Sequence, residues 1–484
     1  MTLGLVLLAI HNALSFLIRI AALCTLPLRH PPTTAMAWLL VVFFWPFPGA
    51  FLYLLLGSTR LPKERQTRHE KAMEALRRIR RQVRRANPEA ARLGEMPGHV
   101  KRFAALGQRL GEWFIVDGNS LAFIESAQDF FVSLAKDIDG ATRQVDLLFY
   151  IFVLDGETRP LVEALERAAA RGVKCRLLID ALGSKAFLKK DAEALRASGV
   201  RVLEALPLGG LLRRNKLTAR FDLRNHRKLA VIDLKTGYMG SHNVTDPTYG
   251  GKAKGAAWHD LSLRLTGPIV AQLEGVFLED WYVETGELPE EDWSSLQLRR
   301  SGDMMLQTVP SGPSYATENF QRLVVSALFE ARERVVITTP YLIPDEGLLQ
   351  AMEVAVLNGA RVELIVPEKV DQFLVGNAAR AYYSKLLEMG VSLFLYQPGI
   401  LHAKTMTVDG SLAFFGSSNF DIRSFALNFE LNMVLYGPGE AQSLLAIQES
   451  YLASSRKLDL KEWASLPLWE RSLQGMAKLL SALL

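Results

Sequence analysis

The strongest constraint on the fold is a repeat within the chain itself. His226 is followed by Lys228, Asp233, Gly240, Ser241 and Asn243, and His402 is followed by Lys404, Asp409, Gly416, Ser417 and Asn419. The offsets from each histidine are 2, 7, 14, 15 and 17 residues in both copies. Matching residue types at matching spacings mark a duplicated unit. The likeness extends further: Asp260 stands 7 residues before Gly267-Pro268, and Glu430 stands 7 before Gly437-Pro438. The step from Asn243 to Asp260 is 17 residues and that from Asn419 to Glu430 is 11, so the first copy carries a six-residue loop insertion beside its motif. Two copies of one half-domain can pack about a pseudo-two-fold axis, which brings corresponding residues to one interface.

The flanking pattern sets the fold class. Residues 145–153 and 173–180 are β-branched and apolar runs that read as strands, and residues 158–171 between them place Leu161, Leu165 and Ala168 on one helical face, stopped by Gly172. The same order recurs as a strand over 335–341, a helix over 345–357, Gly359, and a strand over 362–366. Strand–helix–strand, given twice, predicts an α/β protein of two half-domains, each with its own share of a central sheet. The expected divisions are residues 1–58, 59–110, 111–300 and 301–484.

The first of these divisions is where hydropathy concentrates. Residues 3–26 are largely apolar, with His11, Asn12 and Arg19 as interruptions, and residues 36–56 carry no charge at all. Each run approaches the ~20 residues that cross a hydrocarbon core as a helix. The short break over residues 28–34 and the lack of a basic stretch before the first run favour a transmembrane hairpin over a cleaved signal. Pro46, Pro48 and Gly49 should kink the second span, and Trp38, Trp45 and Tyr53 are candidate interface anchors. A basic run then follows, with Arg60, Lys63, Arg65, Arg68, Lys71, Arg77, Arg78, Arg80, Arg81, Arg84 and Arg85 against Glu64, Glu70 and Glu74. Basic flanks stay cytoplasmic, so the body is expected on the cytoplasmic side of the membrane. The run itself reads as a helix that meets anionic lipid. Cys24 and Cys175 are the only cysteines, which excludes a disulfide framework and a Cys-rich zinc site.

The repeated motif suits phosphodiester chemistry. Strand alternation puts His226, Lys228 and Ala230 on one face, and His402 and Lys404 likewise. An imidazole can attack or carry a proton near neutral pH, and an ammonium beside it clamps phosphate oxygens. Ser and Asn just after a Gly can add neutral donors. Asp233 and Asp409 lie on the opposite strand parity from their histidines, which suits a structural role as well as a direct one. Lysine does not ligate zinc, and no His-x3-His or Cys-x2-Cys spacing or Gly-x-Ser-x-Gly elbow is present, so no metal or other cofactor is expected.

On these residues the chain resembles the phospholipase D superfamily, whose signature is two His-x-Lys-x4-Asp motifs each followed by Gly-Ser. Within it, the chain is similar to the bacterial cardiolipin synthases. The likeness covers the N-terminal spans, the segment 149–152, Ile179 to Ser184, Asn225 to Leu229, Gly240 to Asn243, Thr339 to Asp345, His402 to Lys404, Gly416 to Ser424 and Asn428 to Glu430. The resemblance implies two phospholipase D-like α/β sandwich halves and phosphatidyl transfer from one phosphatidylglycerol to another through a phosphatidyl-histidine. By that likeness His226 is the nucleophile and His402 the acid and base, with Asp233 and Asp409 completing the two catalytic motifs. Lys228 and Lys404, with Ser241, Asn243, Ser417 and Asn419, would bind the phosphate, and Asp260 and Glu430 would orient the imidazoles. Phosphatidylglycerol, cardiolipin and an anionic membrane surface are then the expected partners, not nucleic acid. The motif does not by itself separate transfer from phospholipase D-type hydrolysis or from lipid binding without turnover. Phosphatidylserine synthesis would require a nucleotide-activated donor, and no Gly-rich nucleotide loop is seen. The C-terminal stretch 467–484 has apolar residues at helical spacing, which fits either a helix packed on the body or one lying in a membrane interface.

Overall fold

The computed structural model describes residues 3–30, 32–57, 61–86, 94, 96, 98–207, 222–248, 257–287, 299–315 and 318–480. Arg60 and most of the loop insertion in the first copy lie outside these residues. The chain forms two compact units, Met1–Leu61 and Pro62–Leu484.

In the first unit, helix α1 (Leu3–Arg29) is long and apolar enough to cross a bilayer. The second apolar run differs from the single kinked span expected. It is broken into α2 (Pro32–Phe44) and α3 (Pro46–Leu56), and neither alone reaches the length of a span. Pro46 and Pro48 have no N–H to continue the ladder, so the helix is interrupted at Trp45 and bends sharply. The bend is tight enough that a Cβ on Gly49 would lie 2.8 Å from the Val41 carbonyl oxygen, so only glycine fits there. Arg19, the one charge inside the first run, donates to the Phe43 carbonyl at 3.1 Å beside the break. A charge in an apolar helix is tolerated when a carbonyl meets it in this way.

The second unit opens with α4 (Lys63–Ala86), the basic run. Part of that run is not available to lipid. Arg65 pairs with Glu284 at 2.7 Å and is 2 % exposed, and buried Arg80 meets Glu112. These residues dock the helix on the body, while Lys71, Arg77, Arg78, Arg81, Arg84 and Arg85 remain on its outer side.

The body is built on the expected duplication. The first half contributes β1 (Val116–Ile124), β2 (Gln144–Phe149), β3 (Lys174–Asp180), β4 (Arg201–Ala205), β5 (Leu229–Ile232), β6 (Thr236–Gly240), β7 (Trp258–His259) and β8 (Ser262–Thr266). The second contributes β9 (Met304–Ser311), β10 (Arg334–Thr338), β11 (Leu342–Ile343), β12 (Arg361–Pro367), β13 (Ser392–Tyr396), β14 (Ile400–Leu401), β15 (Thr405–Val408), β16 (Leu412–Gly416), β17 (Phe420–Asp421), β18 (Glu430–Tyr436) and β19 (Ser455–Lys457). Fifteen of these strands form one sheet in the order β19-β13-β12-β10-β15-β16-β18-β9-β1-β8-β6-β5-β2-β3-β4. Read inward from the two ends, β4-β3-β2-β5-β6-β8-β1 matches β13-β12-β10-β15-β16-β18-β9 strand for strand. The duplicated halves join where β1 pairs antiparallel with β9, and β19 caps one edge.

A shared core ties the halves together. Leu229, Met239 and Leu263 of the first half pack in one cluster with Ala413, Phe415 and Met433 of the second. The helix Ile269–Thr285 runs through this layer and is buried on every side from Ile269 to Trp281. Its apolar residues are not confined to one stripe, which is what a fully enclosed helix requires. Its polar side chains are paired: Gln272 donates to the Phe114 carbonyl at 2.7 Å, and Glu274 meets Arg176 at 3.3 Å. The expected helices are present as Arg159–Ala170 and Glu346–Leu357.

Candidate active site

The duplicated motifs meet, and they meet crosswise. His226 Nδ1 lies 3.0 Å from both carboxylate oxygens of Glu430, which belongs to the second half. His402 Nδ1 lies 2.6 Å from Asp260 Oδ1, which belongs to the first. Each imidazole is therefore oriented by an acid from the opposite half. The backbone explains why. The His226 N–H donates to the Phe429 carbonyl at 2.9 Å, and the His402 N–H donates to the His259 carbonyl at 2.8 Å. Asn225 bridges Phe429 in parallel, and β14 pairs in parallel with β7. In both copies the segment entering the motif pairs with the other half, and only afterwards turns into its own sheet. The regular strands β5 and β15 start at Leu229 and Thr405, so the His-x-Lys segments precede the strands on which they were expected.

With Nδ1 engaged by a carboxylate, Nε2 is the ring nitrogen each histidine can present to a substrate. Tyr150 stands edge-on to the His226 ring at 4.9 Å, and Trp258 leans on the His402 ring at 4.6 Å. Lys228 donates to the His226 carbonyl at 2.7 Å, and Lys404 donates to that of His402. Burial and the neighbouring lysines hold both imidazoles below their ordinary pKa, His402 at about 4, against the opposing pull of their carboxylates. Burial likewise lowers Lys228 to about 8 and Lys404 well below the usual range. Burial alone would raise Asp260 and Glu430, but each is held low by its paired histidine and so stays ionised. Two buried lysines beside two imidazoles form a cluster whose charged state an anionic phosphodiester would stabilise.

Four expected site residues are placed differently. Asp233 and Asp409 do not reach the cleft. They sit at the far end of β5 and β15, in left-handed turns with φ of 53° and 49°. Asp233 accepts the N–H groups of Thr142, Arg143 and Gln144 at 2.8–3.0 Å, and Asp409 accepts those of Arg332, Glu333 and Arg334 at 2.9 Å. Each aspartate locks the loop entering the neighbouring strand, which is the structural role that strand parity allowed. Replacing either with alanine leaves three loop N–H groups, most of them partly open to solvent, without their acceptor. The expected result is a loss of stability of about 2–4 kcal/mol in denaturant unfolding, with little change in turnover per folded molecule.

Ser241 and Ser417 are also spoken for by the protein. Ser241 Oγ accepts the Leu261 N–H at 2.9 Å. Ser417 Oγ accepts the Leu431 N–H at 3.0 Å and donates to Glu430, so it positions the acid that positions His226. The glycine before each serine is required by close approach. A Cβ at Gly240 would lie 2.5 Å from the Leu261 carbonyl oxygen, and one at Gly416 would lie 2.6 Å from that of Leu431. Asn243 and Asn419 fit the expected role better. Asn243 turns its carbonyl oxygen to the Ile151 N–H at 3.1 Å, which leaves its NH2 as the end that can meet an anion. Asn419 donates one hydrogen to Asp421 at 3.1 Å.

The sequence reading missed the buried support beneath the first motif. Arg227, between His226 and Lys228, is fully buried. It pairs with Asp280 at 2.8 Å and donates to the Glu430 carbonyl at 3.1 Å. Asp280 also accepts from Asn225 at 2.9 Å, and Glu279 beside it lies 3.2 Å from His69 of α4. The second copy has Ala403 at the matching position, and this difference was the available signal. His242 is a third buried imidazole near the motif, but it stacks on Phe130 at 4.9 Å and meets Ser262 at 2.8 Å, which marks it as packing.

This fold and site define a phospholipase D-like protein. A family described as cardiolipin synthase, phospholipase D-like domain, matches residues 134–281 and 324–451, and one described as phospholipase D-nuclease N-terminal matches residues 14–58. Cardiolipin synthase A of Wigglesworthia glossinidia brevipalpis is 34% identical over 463 residues, covering 94% of this chain and 92% of that protein. Cardiolipin synthase A of Proteus mirabilis is 33% identical over 469 residues, covering 94% of each. The chain belongs to the bacterial cardiolipin synthase family of the phospholipase D superfamily. Among solved structures, the phosphatidylserine synthase of Haemophilus influenzae shares the fold, with a TM-score of 0.59 at 15% identity over 79% of this chain and all of that one.

Proposed function

We propose that the chain condenses two phosphatidylglycerol molecules into cardiolipin and glycerol through a phosphatidyl-histidine intermediate. The crosswise carboxylate–imidazole pairs carry this reading, because a double displacement at phosphorus needs two imidazoles in opposite protonation states. His226 Nε2 attacks the phosphorus of the first lipid and forms the P–N bond. The P–O bond to the headgroup glycerol breaks, and His402, protonated once the bound phosphodiester offsets the charge of the neighbouring lysines, gives that oxygen its proton. Neutral His402 then takes the proton from a headgroup hydroxyl of the second phosphatidylglycerol. The resulting oxygen attacks phosphorus, and the P–N bond to His226 breaks. Lys228, Lys404, Asn243 and Asn419 hold the non-ester oxygens, while Glu430 and Asp260 stabilise whichever imidazolium forms.

Membrane association follows from the family and the apolar helix α1. The basic outer side of α4 supports a cytoplasmic catalytic body, which requires the second apolar run, despite its break at Pro46, to return the chain through the bilayer. Protease added outside intact cells should then leave the segment from Lys63 to Arg85 uncut, and cleavage there would refute the orientation.

Incubation of the purified protein with phosphatidylglycerol tests the reaction. Mass spectrometry should find cardiolipin and free glycerol. Phosphatidic acid without cardiolipin would establish hydrolysis, and no turnover would leave only lipid binding.

A further inference from the structure

The helix Leu468–Leu480 is turned inside out. The residues it presses on the body include Gln474 and Ala477, 7% and 2% exposed. The residues it turns outward are Leu468, Trp469, Met476 and Leu479, all more than 60% exposed. At 100° per residue these four fall in one arc together with Ser472, so the outer face is a continuous apolar strip. Arg471 and Lys478 border it, and Lys478 lies 4.4 Å over the Tyr382 ring. The helix Phe373–Arg380 packs against this one and adds exposed Phe373 and Leu374.

Large exposed apolar patches with a basic rim mark an interaction surface. We infer that the paired helices Phe373–Arg380 and Leu468–Leu480 form a second membrane contact, seated in the interface of an anionic bilayer. The chemistry selects this occupant. A shallow strip of Leu, Met and Trp suits the acyl–headgroup boundary, and Arg471 and Lys478 at its border suit anionic headgroups. The chain is also tethered to a bilayer through its first unit, which keeps that surface at high local concentration. A short path of contacts links the first of these helices to the second copy of the motif. Asp371, two residues before the first of these helices, accepts the Tyr341 hydroxyl. The strand directly after Tyr341, β11, pairs with β17, which comes directly after Asn419. Seating these helices would bring the second half of the cleft near the lipid surface. The inference rests on membrane association and not on which lipid is transferred.

The test uses the full chain with Cys24→Ser and Cys175→Ala, labelled at Met476→Cys with an environment-sensitive fluorophore and, as a control, at the exposed Glu193→Cys. The protein is reconstituted in vesicles of phosphatidylglycerol and phosphatidylethanolamine. The label at position 476 should be blue-shifted, quenched by spin-labelled acyl chains and protected from aqueous iodide, while that at 193 should show the reverse. Iodide access at 476 equal to that at 193 would overturn the contact. Protection from both quenchers, with cross-linking between copies, would assign the face to a second copy and overturn the lipid occupant. The combined variant Trp469→Ser, Met476→Ser, Leu479→Ser should keep its activity in detergent micelles and lose on the order of tenfold on vesicles. Equal losses in both would also count against it. The fluorescence readout needs no turnover, so it stands or falls apart from the proposed reaction.

Discussion

Replacing His226 with alanine is expected to abolish the phosphatidyl adduct and with it cardiolipin formation, a loss on the order of 10⁴- to 10⁶-fold in kcat. His402→Ala should reduce overall turnover as severely but by a different route. With a phosphodiester whose leaving group departs without a proton, the His402→Ala protein should still form the adduct in a single turnover and then fail to resolve it, because the acceptor hydroxyl lacks its base. Trapping the adduct by acid quench and mapping the modified peptide separates the two. The sequence copies are equivalent on paper, but the structure is not symmetric around them. Arg227 lies under His226 and ties its strand entry to Asp280 and to the Glu430 backbone, whereas Ala403 offers nothing comparable under His402. An adduct mapped to His402 would reverse the assigned roles while leaving the two-histidine reaction intact.

The second large effect concerns the crossed acids. Glu430→Gln keeps the shape of the side chain but removes the charge that offsets imidazolium formation on His226, and it can hold the wrong tautomer. The expected loss in kcat is on the order of 10⁴-fold, the scale seen when a buried carboxylate behind a catalytic histidine is neutralised. Asp260→Asn should do the same to His402. The pattern matters more than the size. Glu430 lies in the second half, yet its variant should behave like a His226 variant and fail at adduct formation with the activated substrate. Asp260 lies in the first half, yet its variant should behave like His402→Ala and form the adduct. If each acid variant instead mimicked the histidine of its own half, the crosswise geometry would not operate during turnover.

These two experiments fall on either side of what could be read from the chain. The paired spacing from His226 and His402 was legible because it is local: one repeat, written twice, with its strands and helices patterned alike. It carried the α/β class, the two halves, the histidines, the lysines and the asparagines. Asp260 and Glu430 were legible as matching positions, but their partners were not. Partner choice is decided by which half each motif-entering segment pairs with, and that pairing joins residues some 142 and 204 positions apart. The aspartates of the motif were open for a related reason. Strand parity could turn Asp233 and Asp409 away from the cleft, but only the neighbouring loops of Thr142–Gln144 and Arg332–Arg334 show that their carboxylates are fully used.

At the N-terminus, hydropathy identified two apolar runs and the prolines identified a weak point. Whether missing N–H groups produce a gentle kink or a sharp break depends on how the two pieces pack, and the tight contact of Gly49 with Val41 and Val42 settles that locally. The basic run was read by composition, which cannot distinguish Arg65 and Arg80, buried against acids far along the chain, from the arginines that stay outside. The sequence by itself thus determined the duplication, the histidines, lysines and asparagines on which the proposed reaction rests, and the family they resemble, since all of these are properties of residues and short spacings. Only the tertiary structure decided that each histidine answers to an acid of the other half, because that contact is made by folding one half against the other and has no local signature.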